Sequence, residues 1–258
     1  MKKLNLITAL TVVLILIIVA CKKNLDLKII DPPCSFQYSD WTACSNNIQT
    51  RTYTSSPSGC KSTPPADSIQ RPCVIPEVQI GTQTWTKENL DVATYRNGDP
   101  IPEVQVASNW ANLTTGAWCY YANNTANGTT YGKLYNWYAV NDPRGLAPNG
   151  YHIPTDAEWT TLTTYLGGTS VAGTKMKNSS GWLNNGNGTN SSGFAGLPGG
   201  CRNYNGYFYT IGADGDWWSS SENNASDAWY RGLYHNNGGV GRYDSNERYG
   251  FSVRCLRD

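Results

Sequence analysis

The chain has 258 residues, with 20 Lys and Arg against 19 Asp and Glu, a formal net charge of +1 at pH 7. That balance offers no basic field to a polyanion and argues against a nucleic-acid partner. Charged residues make up only 15% of the chain, while Gly (26), Tyr (17) and Trp (10) are abundant; this composition of turns and packed aromatics fits an exported, loop-rich, ligand-facing protein better than a cytosolic enzyme.

Residues 1–20 open with Lys2 and Lys3, continue through the apolar run LNLITALTVVLILIIVA and lead to Cys21, which is the layout of a secretory signal peptide. Ile18, Val19, Ala20 and Cys21 resemble the lipobox of bacterial lipoproteins, with Ile where Leu is more usual. The resemblance implies that Cys21 is the lipidation site and the mature N-terminus. It places the protein in the cell envelope, anchored to a membrane by lipid, with the outer membrane and its exposed surface as the expected location. The alternative is an uncleaved anchor helix, since Lys22 and Lys23 follow directly; the apolar run is shorter than the ~20 residues of a usual span. Either reading exports the remainder, where cysteines pair as disulfides. With Cys21 lipidated, the eight cysteines leave an odd number, so one thiol stays unpaired.

Residues 21–33 have no strong period and end in Pro-Pro, as suits a lipidated tether. Residues 34–74 hold Cys34, Cys44, Cys60 and Cys73 in a segment too short to bury much core, so cross-links must supply its stability. The residues Trp41 and Cys44 (W-x-x-C), Gln49, Thr50 and Arg51 (Q-T-R), and Arg71, Pro72 and Cys73 (R-P-C) resemble a thrombospondin type 1 repeat. The resemblance implies a small, disulfide-rich, three-stranded β module with Trp41 and Arg51 stacked as cation and ring, Arg71 beside them. It also implies the pairs Cys44–Cys73 and Cys34–Cys60. The segment departs from that family in having four cysteines where six are usual, and a single tryptophan. The alternative is a disulfide-knotted spacer of no particular family.

From residue 78 to residue 258 the texture becomes aromatic and glycine-rich, with short apolar runs between turn residues, as expected of many short strands. The landmarks are IGTQTWTKENL (80–90), YGKLYNWYAV (131–140), GYHIPTDAEWTTL (150–162), GFAGLPGGCR (193–202), GDWWSSSE (215–222) and GFSVRCLRD (250–258). In order they resemble the major paralogous domain first described in Fibrobacter succinogenes, common in lipoproteins of the Bacteroidetes and related in pattern to formylglycine-generating enzymes and C-type lectin-like folds. The resemblance implies an α+β, C-type lectin-like domain of short antiparallel strands, one or two helices and long loops. The domain ends should meet, with FSVRCL (251–256) as a central strand. Trp85, Trp137, Trp159, Trp182, Trp217 and Trp218 are expected in the core. The family pattern implies a Cys119–Cys255 disulfide, leaving Cys201 as the odd thiol.

His152, Asp156 and Glu158 in YHIPTDAEW look like acid/base machinery, but Thr155 and Glu158 have the spacing of a capping box. Trp159, Leu162 and Leu166 then recur at helical spacing before Gly167 and Gly168. His152 reads as a packed or hydrogen-bonded histidine rather than a general base. No zinc spacing, G-x-S-x-G elbow or P-loop occurs, so no catalytic residue and no cofactor is expected. Asp214 and Asp216 form a D-x-D that could touch calcium but is more often a turn. A rival reading is a thiol enzyme of the formylglycine-generating type, acting through Cys201 and Cys255.

Residues 223–249 are dominated by Asn, Ser, Asp, Gly, Tyr and His, the composition of adaptable binding surfaces and also of ordinary solvated turns. Asn223, Asn224, Ser226, Tyr230, Tyr234, His235, Asn236, Asn237, Arg242, Tyr243 and Asp244 are the expected ligand contacts. Many of these residue types are reached from an asparagine codon by changing its adenines, and the segment resembles the variable region of proteins diversified by retroelements. The expected function is a lipid-anchored envelope protein that displays a lectin-like domain to an external protein or glycan. A purely structural envelope component is a further alternative.

Overall fold

The computed structural model describes residues 34–39, 48–56, 63–66, 69–72 and 74–258, with Ile48 and Pro72 described by backbone alone. Cys21, Trp41, Cys44, Cys60 and Cys73 lie outside the described residues, as does the expected signal peptide. No described helix is long and apolar enough to cross a membrane. The chain divides into two compact units, Met1–Ser39 with Thr52–Pro65, and Asp40–Arg51 with Ala66–Asp258.

Four short strands precede the large domain: β1 (Ser35–Tyr38), β2 (Ile48–Thr50), β3 (Tyr53–Ser56) and β4 (Gln70–Pro72). In the first unit β1 pairs antiparallel with β3, and the Phe36 ring meets Tyr53 edge-on at 5.6 Å. Cys34 at the head of β1 is in a disulfide whose partner lies outside the described residues. In the second unit β2 pairs antiparallel with β4, where Arg71 Nε donates to Gln49 Oε1 at 2.9 Å. The described residues thus form two separate two-stranded ladders, not one three-stranded sheet. The reason is local: β2 and β3 do not pair with each other across their connection, so each takes a strand from elsewhere in the segment.

The large domain begins with a hairpin of β5 (Glu77–Ile80) and β6 (Gln83–Thr86). Gly81 turns it at φ +63°, where a Cβ would strike the Tyr165 ring at 2.9 Å. The last strand, β15 (Leu256–Arg257), lies between β6 and β9 (Tyr151–His152), giving an antiparallel sheet in the order β5-β6-β15-β9. The domain ends therefore meet. Regular pairing is shorter than the expected 251–256: Phe251 and Ser252 make only isolated bridges to Tyr135 and Trp217. Residues 251–256 are buried in succession, so both sides of the backbone serve partners and the alternation of a half-exposed strand is lost.

Three further sheets complete the domain. β7 (Trp118–Cys119) pairs with β8 (Leu134–Tyr135), and β10 (Cys201–Arg202) pairs with β11 (Phe208–Tyr209). β12 (Asp214–Asn224), β13 (Asp227–Tyr234) and β14 (Gly241–Asn246) form an antiparallel meander. The helix Asp156–Tyr165 opens on the expected capping box: Thr155 Oγ1 accepts from the Glu158 N–H at 3.3 Å, and Glu158 Oε2 accepts from the Thr155 N–H at 2.8 Å. Its Trp159 and Leu162 are buried. Four shorter helices, Ala107–Ala111, Thr125–Tyr131, Trp137–Val140 and Ala172–Met176, exceed the one or two expected. They span too few turns to leave a 3.6-residue period in the sequence.

All six expected tryptophans are buried. Trp85 and Trp159 sit 4.7 Å apart, and Phe194 contacts Trp85, Trp159 and Trp217 at 5.7–5.9 Å. The Cys119–Cys255 disulfide is not formed: Cys119, Cys201 and Cys255 are all buried free thiols. Cys119 packs with Trp110, Ala117 and Leu134, whereas Cys255 belongs to the separate cluster around Tyr135 and Phe251.

Between these elements run long loops, tied down by buried cations. Arg254 donates from Nη1 to the carbonyls of Thr86 and Phe194, both at 2.8 Å, and from Nε to Asn89 Oδ1 at 2.6 Å. Arg202 donates to the Gly206 and Gln105 carbonyls at 2.9 and 2.7 Å. Lys177 Nζ donates to the carbonyls of Gly186, Tyr234 and Asn237 at 2.7, 3.0 and 2.9 Å. Replacing Arg254 with Met leaves those acceptors without a donor, and should cost on the order of 3 kcal/mol or more in urea unfolding. A loss below about 1 kcal/mol would show that the loops hold without it.

Candidate functional site

The meander has two chemically distinct faces because successive residues on a strand point in opposite directions. Register sets Asp214 opposite Tyr234, Asp216 opposite Gly232 and Trp218 opposite Tyr230; on the next ladder Tyr230 faces Tyr243 and Gly232 faces Gly241. These residues share the front face. Trp217, Arg231, Leu233 and Arg242 take the back.

The back face is fixed to the long helix. Trp217 and Leu233 enter the core with Trp159. Arg231 Nη1 donates to Asp156 Oδ1 at 2.7 Å, and Arg242 Nη2 donates to Asp156 Oδ2 at 2.9 Å. Burial opposes ionisation of Asp156, but the two guanidiniums outweigh it and hold its carboxyl below the usual range. Arg242 also lies 3.6 Å over the Trp229 ring. Its guanidinium thus bonds Asp156 and covers Trp229 while the side chain stays 44% exposed, on the back of the sheet rather than among the front-face rings.

On the front face, rings follow one another without a break. Tyr204 is 5.7 Å from Tyr249, Tyr249 is 5.4 Å from Phe251, and Phe251 is 4.6 Å from Tyr230. The run continues from Tyr230 to Tyr243 at 5.9 Å and from Tyr243 to Tyr234 at 6.4 Å. Tyr230 packs against the core beside Trp218 and Phe251, so it supports the surface more than it faces a ligand. Tyr243 is 49% exposed. Tyr204 and Tyr209, from the hairpin of β10 and β11, are 41% and 49% exposed. They were not among the expected contacts; the available signal was Asn205-Gly206 flanked by tyrosines, a tight-turn pair.

The eleven expected ligand residues do not gather at one place. Asn223 Nδ2 donates to Asp244 Oδ2 at 3.0 Å, and Asn224 Oδ1 accepts from the Ser226 N–H at 3.0 Å, closing the turn between β12 and β13. His235, Asn236 and Asn237 form the turn at the opposite end of β13, about 23 Å away at the usual rise per residue. There Asn237 Oδ1 accepts from the Gly239 N–H at 2.9 Å, Asn236 is exposed, and His235 Nδ1 is buried without a partner. The strands separate two groups that lie close in sequence.

Below the front face sits Asp216, 6% exposed, whose Oδ1 has no hydrogen-bond partner. Burial, and then the charge of Asp214, push its carboxyl well above the usual range. Asp214 and Asp216 gain no third ligand: among the described residues no group of three or more His, Cys, Asp or Glu converges for a metal ion. Burial pushes the Cys201 and Cys255 thiols up to about 12.

The YHIPTDAEW stretch has partners that were not foreseeable from sequence. His152 Nδ1 lies 2.8 Å from Asp258 Oδ1 and Nε2 lies 3.0 Å from Glu158 Oε1. The histidine thus ties the helix cap to the chain's last residue.

A family model described as the Fibrobacter succinogenes major domain matches residues 78–257. No curated protein and no solved structure matches the chain.

Partial burial pulls the His152 pKa down, but the carboxylates of Asp258 and Glu158 outweigh it, and the net shift is upward. A raised folded value gives stabilisation that is complete below the unfolded value near ~6.5 and is lost as pH rises through the folded one. The difference in thermal midpoint between the protein and its His152→Gln variant should therefore shrink as pH is raised above ~6.5. A difference that is constant with pH would mean His152 contributes only packing.

Proposed function

The chain belongs to the Fibrobacter succinogenes major domain family, and from that premise we propose that it is a lipid-anchored envelope protein whose domain binds an external protein or glycan through the front face of the β12–β14 meander. The observation that carries this is the run of rings from Tyr204 to Tyr234, with Tyr204 and Tyr243 in it and Tyr209 of the neighbouring hairpin exposed, beside a sheet whose back is locked to a helix. Exposed tyrosines on a rigid support present large amphipathic area with little ordering cost. Joined domain ends, small antiparallel sheets and long tied loops support a C-type lectin-like reading of the fold. Asn236, Tyr243 and Asp244 on the exposed rim are residue types that adenine mutagenesis of asparagine codons leaves, which supports a diversified binder.

Two observations weigh against the rivals. A thiol enzyme needs accessible cysteines with depressed pKa, whereas Cys201 and Cys255 are buried and shifted upward. A purely structural component has no use for exposed rings supported from behind.

Replacing Tyr204, Tyr209 and Tyr243 together with Ala should weaken binding to a ligand found on protein or glycan arrays by at least about tenfold, with the thermal midpoint nearly unchanged. Trp217→Ala should do the reverse, because it empties a core site. Unaltered binding by the triple variant would move the site elsewhere.

Cys21→Ala should abolish incorporation of labelled palmitate and release the protein from membranes. Membrane association that persists without label would identify the apolar run as an anchor helix.

A further inference from the structure

Buried charge elsewhere in the domain is answered. Arg202, Arg254 and Lys177 end on carbonyl oxygens, and Asp156 holds two arginines. Asp216 is different: it is as buried as these, and among the described residues neither a cation nor a hydrogen-bond donor meets its Oδ1. A buried polar atom left unpaired costs the desolvation of that atom with no return.

The surroundings of Asp216 explain what would answer it. Opposite it on β13 stands Gly232, where a Cβ would come within 2.3 Å of the Tyr234 hydroxyl and 3.1 Å of Asp216 Oδ1. The missing side chain leaves room there for both the tyrosine hydroxyl and the carboxyl oxygen. Gly241 repeats the device on β14, its absent side chain leaving room for the Tyr243 ring. The groups interacting with Asp216 are Asp214 on its own strand, Tyr230 and Tyr234 on β13, Tyr249 beyond β14, and Cys201 on β10. His235 acts on Asp214 and not on Asp216. All of these neighbours are neutral or negative. Together with ring faces, whose quadrupole favours cations, they make a surround suited to a positive charge supplied from outside.

We propose that the front face captures an alkylammonium group, the end of a lysine side chain on a protein ligand, with Asp216 as its counter-charge and the tyrosine rings around it. The proposal rests on the reading of this face as the binding surface and names the chemistry that it selects. An ammonium, a compact point charge, suits this enclosed carboxyl better than the larger planar guanidinium. A neutral glycan hydroxyl would satisfy the oxygen but would make no use of the missing charge.

Burial and the charge of Asp214 favour the protonated carboxyl of Asp216 in the free protein, whereas the captured cation favours its ionised form, so binding releases a proton below the pH at which the free carboxyl ionises. Affinity must then rise about tenfold per pH unit until Asp216 ionises in the free protein, and level off above that. The test uses the full chain and Nα-acetyl-lysine methylamide as probe, titrated by calorimetry and by tyrosine ring shifts in NMR at several pH values. Binding with that slope is expected. It should fall more than tenfold in Asp216→Asn, whose thermal midpoint serves as the folding control, and several-fold with the slope kept in Tyr243→Ala. Probe binding that is equal in Asp216→Asn, that lacks the slope, or that is as tight for Nα-acetyl-arginine methylamide would overturn the proposal. If the lysine probe fails while the Tyr204, Tyr209 and Tyr243 triple variant still loses an array ligand, the ammonium assignment falls and the binding face stands. If the probe behaves as expected while the triple variant keeps its array ligand, the ammonium site stands and the wider face does not.

Discussion

Three cations inside the domain bond to main-chain oxygens of segments that have little regular structure of their own. A loop that passes beneath a surface carries carbonyls that water no longer reaches, and each must find a donor. Arg254 supplies donors to the carbonyls of Thr86 and Phe194, which are far apart in sequence, and Arg202 does so for Gln105 and Gly206. One guanidinium can serve several acceptors in one plane. The short strands and four of the five helices are too small to organise the chain alone, so the loops must be held from inside, and the aromatic core packs around points that these side chains fix.

The meander illustrates the division of labour that follows. On its back, Asp156 receives Arg231 and Arg242 at the start of the helix Asp156–Tyr165, where negative charge also meets the helix dipole. The same aspartate thus serves the cap and the sheet. On its front, Tyr230 is held against Phe251 while Tyr243 is exposed. Rigidity behind and freedom in front is the arrangement that lets a small surface bind without a large ordering cost.

How much of this could be read from the residues depended on how local each cause was. The capping box of Thr155 and Glu158 spans four residues, and the burial of the six tryptophans follows from their size, so both were legible. The match of residues 78–257 to the family was legible from landmarks in order. That Cys119 and Cys255 stay apart as free thiols was not, because it depends on which core cluster each residue enters. Nor was the scatter of the expected ligand residues, since composition marks a segment as polar without revealing that β13 carries its two ends apart. Nor was the pair of Arg242 with Asp156, whose members are remote in sequence. Tyr204 and Tyr209 are exposed but lie outside residues 223–249, so the composition of that segment does not point to them.

Lys177 reaches the turn between β13 and β14 through the carbonyls of Tyr234 and Asn237. A tie made to the main chain is indifferent to the side chain that the residue bears. The rim of the meander can then change its identities, position by position, while the backbone path that presents them is retained. Such a scaffold separates what is recognised from what is folded, and a lineage under pressure to meet new ligands could alter the first without endangering the second.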